Sequence, residues 1–241
     1  MISVNQVQPK LIIHGGAGSS LKGKAGADAV RQSLYTIIED VYSLLLSGAE
    51  ARDAVMRGCQ LLEDDPRFNA GTGSVLQSDG QIRMSAALME GKFQRFSGVI
   101  NVSRVQNPIE LATFLQDSAD RVLSEYGAAE LMRELNTPVY NPLTDLRLGE
   151  WMLERQENFD KTMAGVVAET ELVKPAEAGR GTIGVVALDT HGCLVAGTST
   201  GGKGFERIGR VSDCAMPAGN YATKRQPLAV RGLEKTLLMS V

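Results

Sequence analysis

The chain is short of the usual catalytic parts. It has two histidines, His14 and His191, and three cysteines, Cys59, Cys193 and Cys214. A His-rich metal site or an ordinary Ser-His-Asp triad has little material here. One junction can do nucleophilic chemistry without either. At Arg180-Gly181-Thr182 a hydroxyl residue follows a glycine and opens an apolar run to Asp189. The Thr182 hydroxyl can attack the preceding carbonyl, rearrange to an ester and break the chain, leaving Thr182 as a new N-terminus. A free α-amino group has a pKa of about 7.7–8.0. It can serve as the base for its own hydroxyl with no histidine. The plainer alternative is a Gly-Thr pair opening a strand, and spacing alone favours it.

Composition narrows the classes around that junction. The chain has 241 residues, of which 43% are hydrophobic and 22% charged, with a net charge of −3. That is too apolar and too evenly charged for a disordered chain. It is not basic enough for non-specific nucleic-acid binding. No apolar run reaches the roughly 18 residues of a spanning helix. The first ten residues lack a signal-peptide pattern. Three widely spaced cysteines with no CxxC are no disulfide framework, so a reducing, cytoplasmic setting is expected. Gly-rich clusters at 14–18, 71–73 and 201–204 fit neither GxGxxG nor GxxxxGK[ST]; tight turns are the plain reading.

The elements that must position the junction follow from periodicity. Residues 10–14 read as a buried strand running into a glycine turn. Helical spacing covers 27–46 and 50–63, stopped by Gly48 and by Asp64-Asp65-Pro66. Residues 75–88 read as a hairpin turning at Asp79-Gly80. A strand at 96–102 follows, then helices at 107–115, 127–135 and 146–159. The stretch 160–180 reads as an exposed, mobile connector. Strands at 182–189 and 193–200 flank a turn at Thr190-His191-Gly192. Helices and hairpins in blocks predict antiparallel sheets covered by helices, an α+β fold, rather than a βαβ chain.

Five sequence motifs carry a family resemblance. They are His14-Gly-Gly-Ala-Gly18, Phe68-Asn-Ala-Gly-Thr-Gly73, Gly181-Thr-Ile-Gly-Val-Val-Ala-Leu-Asp189, Thr198-Ser-Thr-Gly-Gly202 and Gly209-Arg-Val-Ser-Asp213. In this order the chain, from Leu11 to about Tyr221, resembles the plant-type asparaginase / isoaspartyl aminopeptidase family of N-terminal-nucleophile hydrolases. The resemblance implies a four-layer αββα sandwich. It implies one domain made of two segments, 1–181 and 182–241, separated by autocleavage between Gly181 and Thr182. It implies Thr182 as nucleophile, Thr200 as its hydroxyl partner and Asn69 as an organiser of the site. Arg210 would clamp a substrate α-carboxylate, a task that suits a guanidinium, and Asp213 would accept the α-ammonium. On charge alone Arg210 and Asp213 read as a surface ion pair. No cofactor is implied beyond a structural sodium ion. Backbone carbonyls in the loop 62–72 would hold it, with Leu62, Glu63, Asp65, Phe68, Ala70 and Thr72 as candidates. The implied substrates are L-asparagine and β-aspartyl dipeptides. The implied assembly is a homodimer of cleaved αβ units, without nucleic-acid or membrane partners.

The chain also departs from the family pattern. Ser85 and Glu90 stand where relatives usually carry aspartates. After Tyr221-Ala222 the family continues to a Thr-Gly-x-Gly-Glu motif that supplies the oxyanion hole, whereas here Thr236 is followed by Leu237. Residues 232–241 match a one-base shift of the family text Gly-Ile-Gly-Glu-Asp-Ile-Ile-Asp-Glu-Cys. The expectation is therefore a frameshift near Val230 and a sandwich incomplete at its C-terminus. Two alternatives accompany the hydrolase reading: a catalytically inactive fragment, and a glycosylasparaginase-type amidohydrolase.

Overall fold

The computed structural model describes residues 7–16, 26–160, 181–217, 219–222, 227–230 and 238–240. The connector expected at 160–180 lies outside the described residues except at its first position, which ends a helix. The elements run in the order β1 (Lys10–His14), α1 (Gly26–Leu46), α2 (Ala51–Asp64), β2 (Met84–Glu90), β3 (Arg95–Val102), α3 (Pro108–Phe114), β4 (Val122–Leu123), α4 (Glu125–Glu134), α5 (Asp145–Asp160), β5 (Ile183–Leu188), β6 (Leu194–Thr200), β7 (Asn220–Ala222), β8 (Pro227–Val230) and β9 (Leu238–Ser240).

Seven strands form the main sheet in the order β4-β3-β2-β6-β5-β1-β9. Its pairs are antiparallel except β3 with β4, which run parallel. Strand side chains alternate between faces, and here the alternation divides the core in two. Leu11, Ile13, Ile183, Val185, Ala187 and Val195 meet α1 to α4 in the large core. Val186, Leu194, Ala196 and Met89 point the other way and meet Ala222 of β7. The second sheet within the described residues is the pair β7–β8. Each fully buried Leu, Ile or Val stabilises by roughly 1.5–3 kcal/mol, so most stability sits on the helix face.

Helix α2 lies unusually close to the sheet. A Cβ on Gly197 would come within 2.5 Å of Val55 Cγ1, and one on Gly58 within 3.1 Å of both Val185 methyl groups. Asp189 fixes the far end of this pairing. Its Oδ2 accepts the Ala51 N–H at 3.0 Å, where α2 begins. Its Oδ1 accepts the His191 and Cys193 N–H groups, both at 2.9 Å, closing the β5–β6 turn. One carboxylate thus meets a helix N-terminus and a hairpin turn together, both of which present free N–H donors.

The hairpin expected over 75–88 is corrected. The turn at Ser78–Gly80 forms, but only Met84–Glu90 is a strand. Gln77 N–H reaches the Gln81 carbonyl at 2.9 Å, yet the flanking groups are engaged elsewhere. The Leu76 carbonyl accepts the Phe205 N–H at 3.0 Å, and the Gln77 carbonyl accepts Trp151 Nε1–H at 2.9 Å. Residues 75–77 therefore serve as a bed for α5 and for the 203–206 loop.

Candidate active site

The register of β5 and β6 pairs Ile183 with Ser199 and Gly184 with Thr198. One step further sets Thr182 opposite Thr200. On the other side of β6, Ser85 of β2 pairs with Thr200, and His14 of β1 pairs with Gly184. By alternation Thr182, Thr200, Ser85 and His14 all belong to the face turned away from the helices, at one end of the sheet. Ser199, one residue before Thr200, points instead toward the helices.

Thr182 is half-buried, and Thr200 is buried with its Oγ1 accepting the Gly202 N–H at 3.1 Å. Asn69, also buried, spans the junction. Its Nδ2 donates to the Gly181 carbonyl at 3.1 Å and to the Gly202 carbonyl at 2.7 Å. Its Oδ1 accepts the Val75 N–H at 3.0 Å, and its backbone carbonyl accepts the Gly201 N–H at 2.9 Å. Every polar atom of the side chain is thereby fixed, with one amide hydrogen aimed at the carbonyl that Thr182 would attack. Gly16, at φ +100°, presses against the same bond; a Cβ there would lie 3.0 Å from Gly181 Cα. Only glycine combines that backbone conformation with so close an approach.

The two charged candidates are placed differently. Arg210 is half-buried and pairs with Glu206, Nη1 to Oε1 at 3.8 Å. Asp213 opens a 3-10 turn, Asp213–Ala215, and is exposed, with Ser212 Oγ at 3.4 Å from its Oδ1. The simple surface pair of Arg210 with Asp213 is therefore not what forms; the acid that meets Arg210 is Glu206. The 212–215 segment is fastened over the sheet by Cys214, whose backbone carbonyl accepts Thr198 Oγ1–H at 3.1 Å and whose Sγ donates to the Ser85 carbonyl at 3.3 Å.

Burial works against the three thiols and His14 as nucleophile or base. Burial pushes the Cys214 thiol up to about 12 and the Cys193 thiol up to about 11, and holds Cys59 well above the usual thiol range. All three thiols stay protonated at neutral pH, where only a thiolate would attack. Burial also pushes His14 down to about 4, and its Nδ1 has no hydrogen-bond partner among the described residues. His14 is a neutral side chain on this face. Behind the sheet, burial raises the Glu63 carboxyl to about 8. Its Oε1 accepts the Ile109 N–H at 3.2 Å, at the start of α3.

The 62–72 loop closes tightly. The Glu63 carbonyl accepts the Thr72 N–H at 2.7 Å and the Asp65 carbonyl the Phe68 N–H at 3.1 Å. The carbonyl oxygens of Pro66 and Phe68 lie 2.6 and 2.8 Å from where a Cβ on Gly73 would stand, at φ +103°. Phe68 belongs to the expected oxygen set and Pro66 does not. Among the described residues no cluster of three or more His, Cys, Asp or Glu side chains is arranged to hold a metal. None of the helices there is long and apolar enough to cross a membrane.

A family described as asparaginase matches residues 7–232. The chain belongs to that family. Among asparaginase relatives, an isoaspartyl peptidase/L-asparaginase of Nostoc sp. (strain PCC 7120) is 70% identical over 234 residues, covering 97% of this chain and 74% of the relative. A protein of the same name from Synechocystis sp. (strain PCC 6803) is 60% identical over 230 residues, covering 95% of this chain and 69% of its own. A plant-type L-asparaginase of Pyrococcus horikoshii is 37% identical over 236 residues, covering 92% and 73% respectively.

Glu206 and Asp189 were not singled out from the sequence. Each left a trace there. Glu206 stands four residues before Arg210, and Asp189 stands just before a Thr-His-Gly turn, the position from which an aspartate caps its own backbone.

Proposed function

We propose that this chain hydrolyses the side-chain amide of L-asparagine and of β-aspartyl dipeptides, with Thr182 as nucleophile after self-cleavage at Gly181–Thr182. The observation that carries the reading is the hydrogen bond from Asn69 Nδ2 to the Gly181 carbonyl, next to the threonine. In self-cleavage the Thr182 hydroxyl adds to that carbonyl, and negative charge develops on the oxygen that Asn69 already holds. A preorganised donor at such an oxygen is worth roughly 2.7–4 kcal/mol. The C–N bond breaks to give an ester, water hydrolyses it, and Gly181 leaves as a carboxylate while Thr182 gains a free amine.

The amine then accepts the proton of its own hydroxyl as Thr182 Oγ1 attacks the β-acyl carbon of substrate. The same proton goes to the departing ammonia or amino acid, leaving an aspartyl ester. Water, deprotonated by the amine, hydrolyses the ester and frees aspartate. Thr200 hydrogen-bonds the nucleophile, a role supported by the β5–β6 register, which continued one step would set it opposite Thr182. Arg210 takes the substrate α-carboxylate and Asp213 its α-ammonium, so the substrate must be a free amino-acid end.

The rest of the reading concerns scaffold and setting. The main sheet and the β7–β8 pair are the middle layers of a four-layer sandwich built from segments 1–181 and 182–241 as one domain, and the cleaved unit pairs as a homodimer. The carbonyls around Gly73, with those of Leu62, Glu63, Asp65, Phe68, Ala70 and Thr72, suit a hard monovalent cation in kind. It would stiffen the loop that carries Asn69 and would take no part in the chemistry. Three unpaired cysteines support a reducing, cytoplasmic location.

Intact-mass spectrometry of the purified chain tests the centre of this reading. Two pieces are expected, the second beginning at Thr182, together with aspartate release from L-asparagine. The Thr182→Ala variant should stay whole and release none. Aspartate release by an uncleaved Thr182→Ala chain would remove the mechanism.

A further inference from the structure

The segment joining Thr200 to Arg210 turns one charged side chain inward. Glu206 is 4% exposed, although it lies in a loop. Its Oε2 accepts the Lys203 N–H at 2.8 Å. Its Oε1 accepts from Gln77 Nε2 at 3.4 Å and stands 3.8 Å from Arg210 Nη1. Its backbone carbonyl accepts the Ser78 N–H at 3.3 Å. These polar neighbours of the carboxylate are all donors. An ionised carboxylate is acceptor-only, whereas an amide of the same shape would turn an N–H against one of them. Gly202 makes the room: it sits at φ +90°, and any side chain there would collide with Glu206 Oε1. The Gly202 carbonyl is also one of the two held by Asn69.

We propose that Glu206 is a positioning residue that holds the Arg210 guanidinium ready for the substrate α-carboxylate. The inference rests on the reading of Arg210 as that clamp. Glu206 engages the Nη1 side of the guanidinium. The remaining N–H groups of the fork stay for a bidentate grip. An arginine oriented before substrate arrives has already given up rotamer freedom that binding would otherwise cost. A solvated surface pair would do little of this, but the Glu206 side chain is 3% exposed against 31% for Arg210. Glu206 also links the clamp to the rest of the site, through Gly202 to Asn69 and through Gln77 to α5.

Steady-state kinetics on L-asparagine test the assignment, using Glu206→Gln, Glu206→Asp, Arg210→Ala and the double variant Glu206→Gln/Arg210→Ala. Trp151, the sole tryptophan, stacks on Phe205 with ring centroids 5.9 Å apart, so its emission reports whether the loop keeps its shape. Glu206→Gln is expected to raise KM about threefold, the size of an ion pair whose charges stand beyond hydrogen-bond distance. It should hold kcat within about twofold and leave Trp151 emission unchanged. In the Arg210→Ala background the same change should add nothing to KM, and Glu206→Asp, which keeps the charge, should fall between native and Gln. If Arg210→Ala raises KM while Glu206→Gln does not, the proposal is overturned and the clamp stands. A KM shift that persists in full without Arg210, or a loss confined to kcat, overturns it as well. If Arg210→Ala leaves KM unchanged, the clamp reading falls and takes this inference with it. Should the Gln variant not fold, the Asp variant in both backgrounds decides by the same criteria.

Discussion

The two faces of the main sheet are made from the same strands and do opposite work. On the helix face Ile183, Val185, Ala187 and Val195 meet apolar helix residues, and Gly58 and Gly197 let α2 settle close. On the other face the same β5 and β6 end at Thr182 and Thr200, beside Ser85, a neutral His14 and the arm that carries Arg210. Because side chains alternate, stability and chemistry are written on alternate residues of one strand. Ser199 and Thr200 differ by one position; the first lies against the helix layer and the second shares the face of Thr182. A one-residue slip in register would exchange the two roles, which is why the tight fit of α2 against β5 and β6 matters to the site.

That division can be broken experimentally at either face. The largest effect belongs to Thr182→Ala. Turnover should fall by more than about a thousandfold while the thermal midpoint holds, measured by aspartate release and calorimetry. Next is Asn69→Ala, which removes the donor at the Gly181 carbonyl. Time-resolved mass spectrometry should show self-cleavage slowed by about a hundredfold or more. Acid should act on the site face through His14. The folded protein keeps His14 neutral down to about 4, whereas the unfolded chain takes up the proton near pH 6.5. Its contribution is complete above pH 6.5 and is lost as pH falls from 6.5 toward 4, by about 3 kcal/mol in all. Urea titrations of native protein and His14→Asn should diverge in that window and run parallel above pH 7. Asp189→Ala, at the opposite end of the sheet, should cost about 2 kcal/mol of stability and leave turnover per folded molecule unchanged, by denaturant melts and active-site titration. At the small end, Arg31→Ala removes an exposed pair with Asp28 and should change stability by less than about 0.5 kcal/mol.

Much of the fold was legible because the hydrophobic periods are clean. The strands at 10–14, 96–102, 182–189 and 193–200 and the helices at 27–46, 50–63, 107–115 and 127–135 all form within a residue or two of expectation. The failure at 75–77 has a physical cause: Val-Leu-Gln beside an Asp-Gly turn looks like a strand, but the Leu76 and Gln77 carbonyls are taken by Phe205 and Trp151, far along the chain. The site divides the same way. At Gly181-Thr182 the residue types allow the chemistry, but on them alone a plain strand start is the better reading. The roles proposed for Asn69, Thr200, Arg210 and Asp213 rest on the resemblance, since nothing local tells an asparagine that will hold a distant carbonyl from one that caps a turn. Glu206 escaped because its partners, Gln77 and the Lys203 N–H, converge only after a long-range fold, and its spacing to Arg210 mimics an ordinary helical ion pair.

Helix α5 carries a last consequence. Arg147 donates from Nε to the Gly73 carbonyl at 2.7 Å, and Trp151 is bonded to Gln77 and stacked on Phe205. Arg147, Trp151, Gly73 and Gln77 lie upstream of the bond between Gly181 and Thr182, whereas Phe205 lies downstream, so the ring stack spans it. Severing that bond therefore frees an end without releasing a part. The two polypeptides would co-migrate as one particle under native conditions and separate only when denatured.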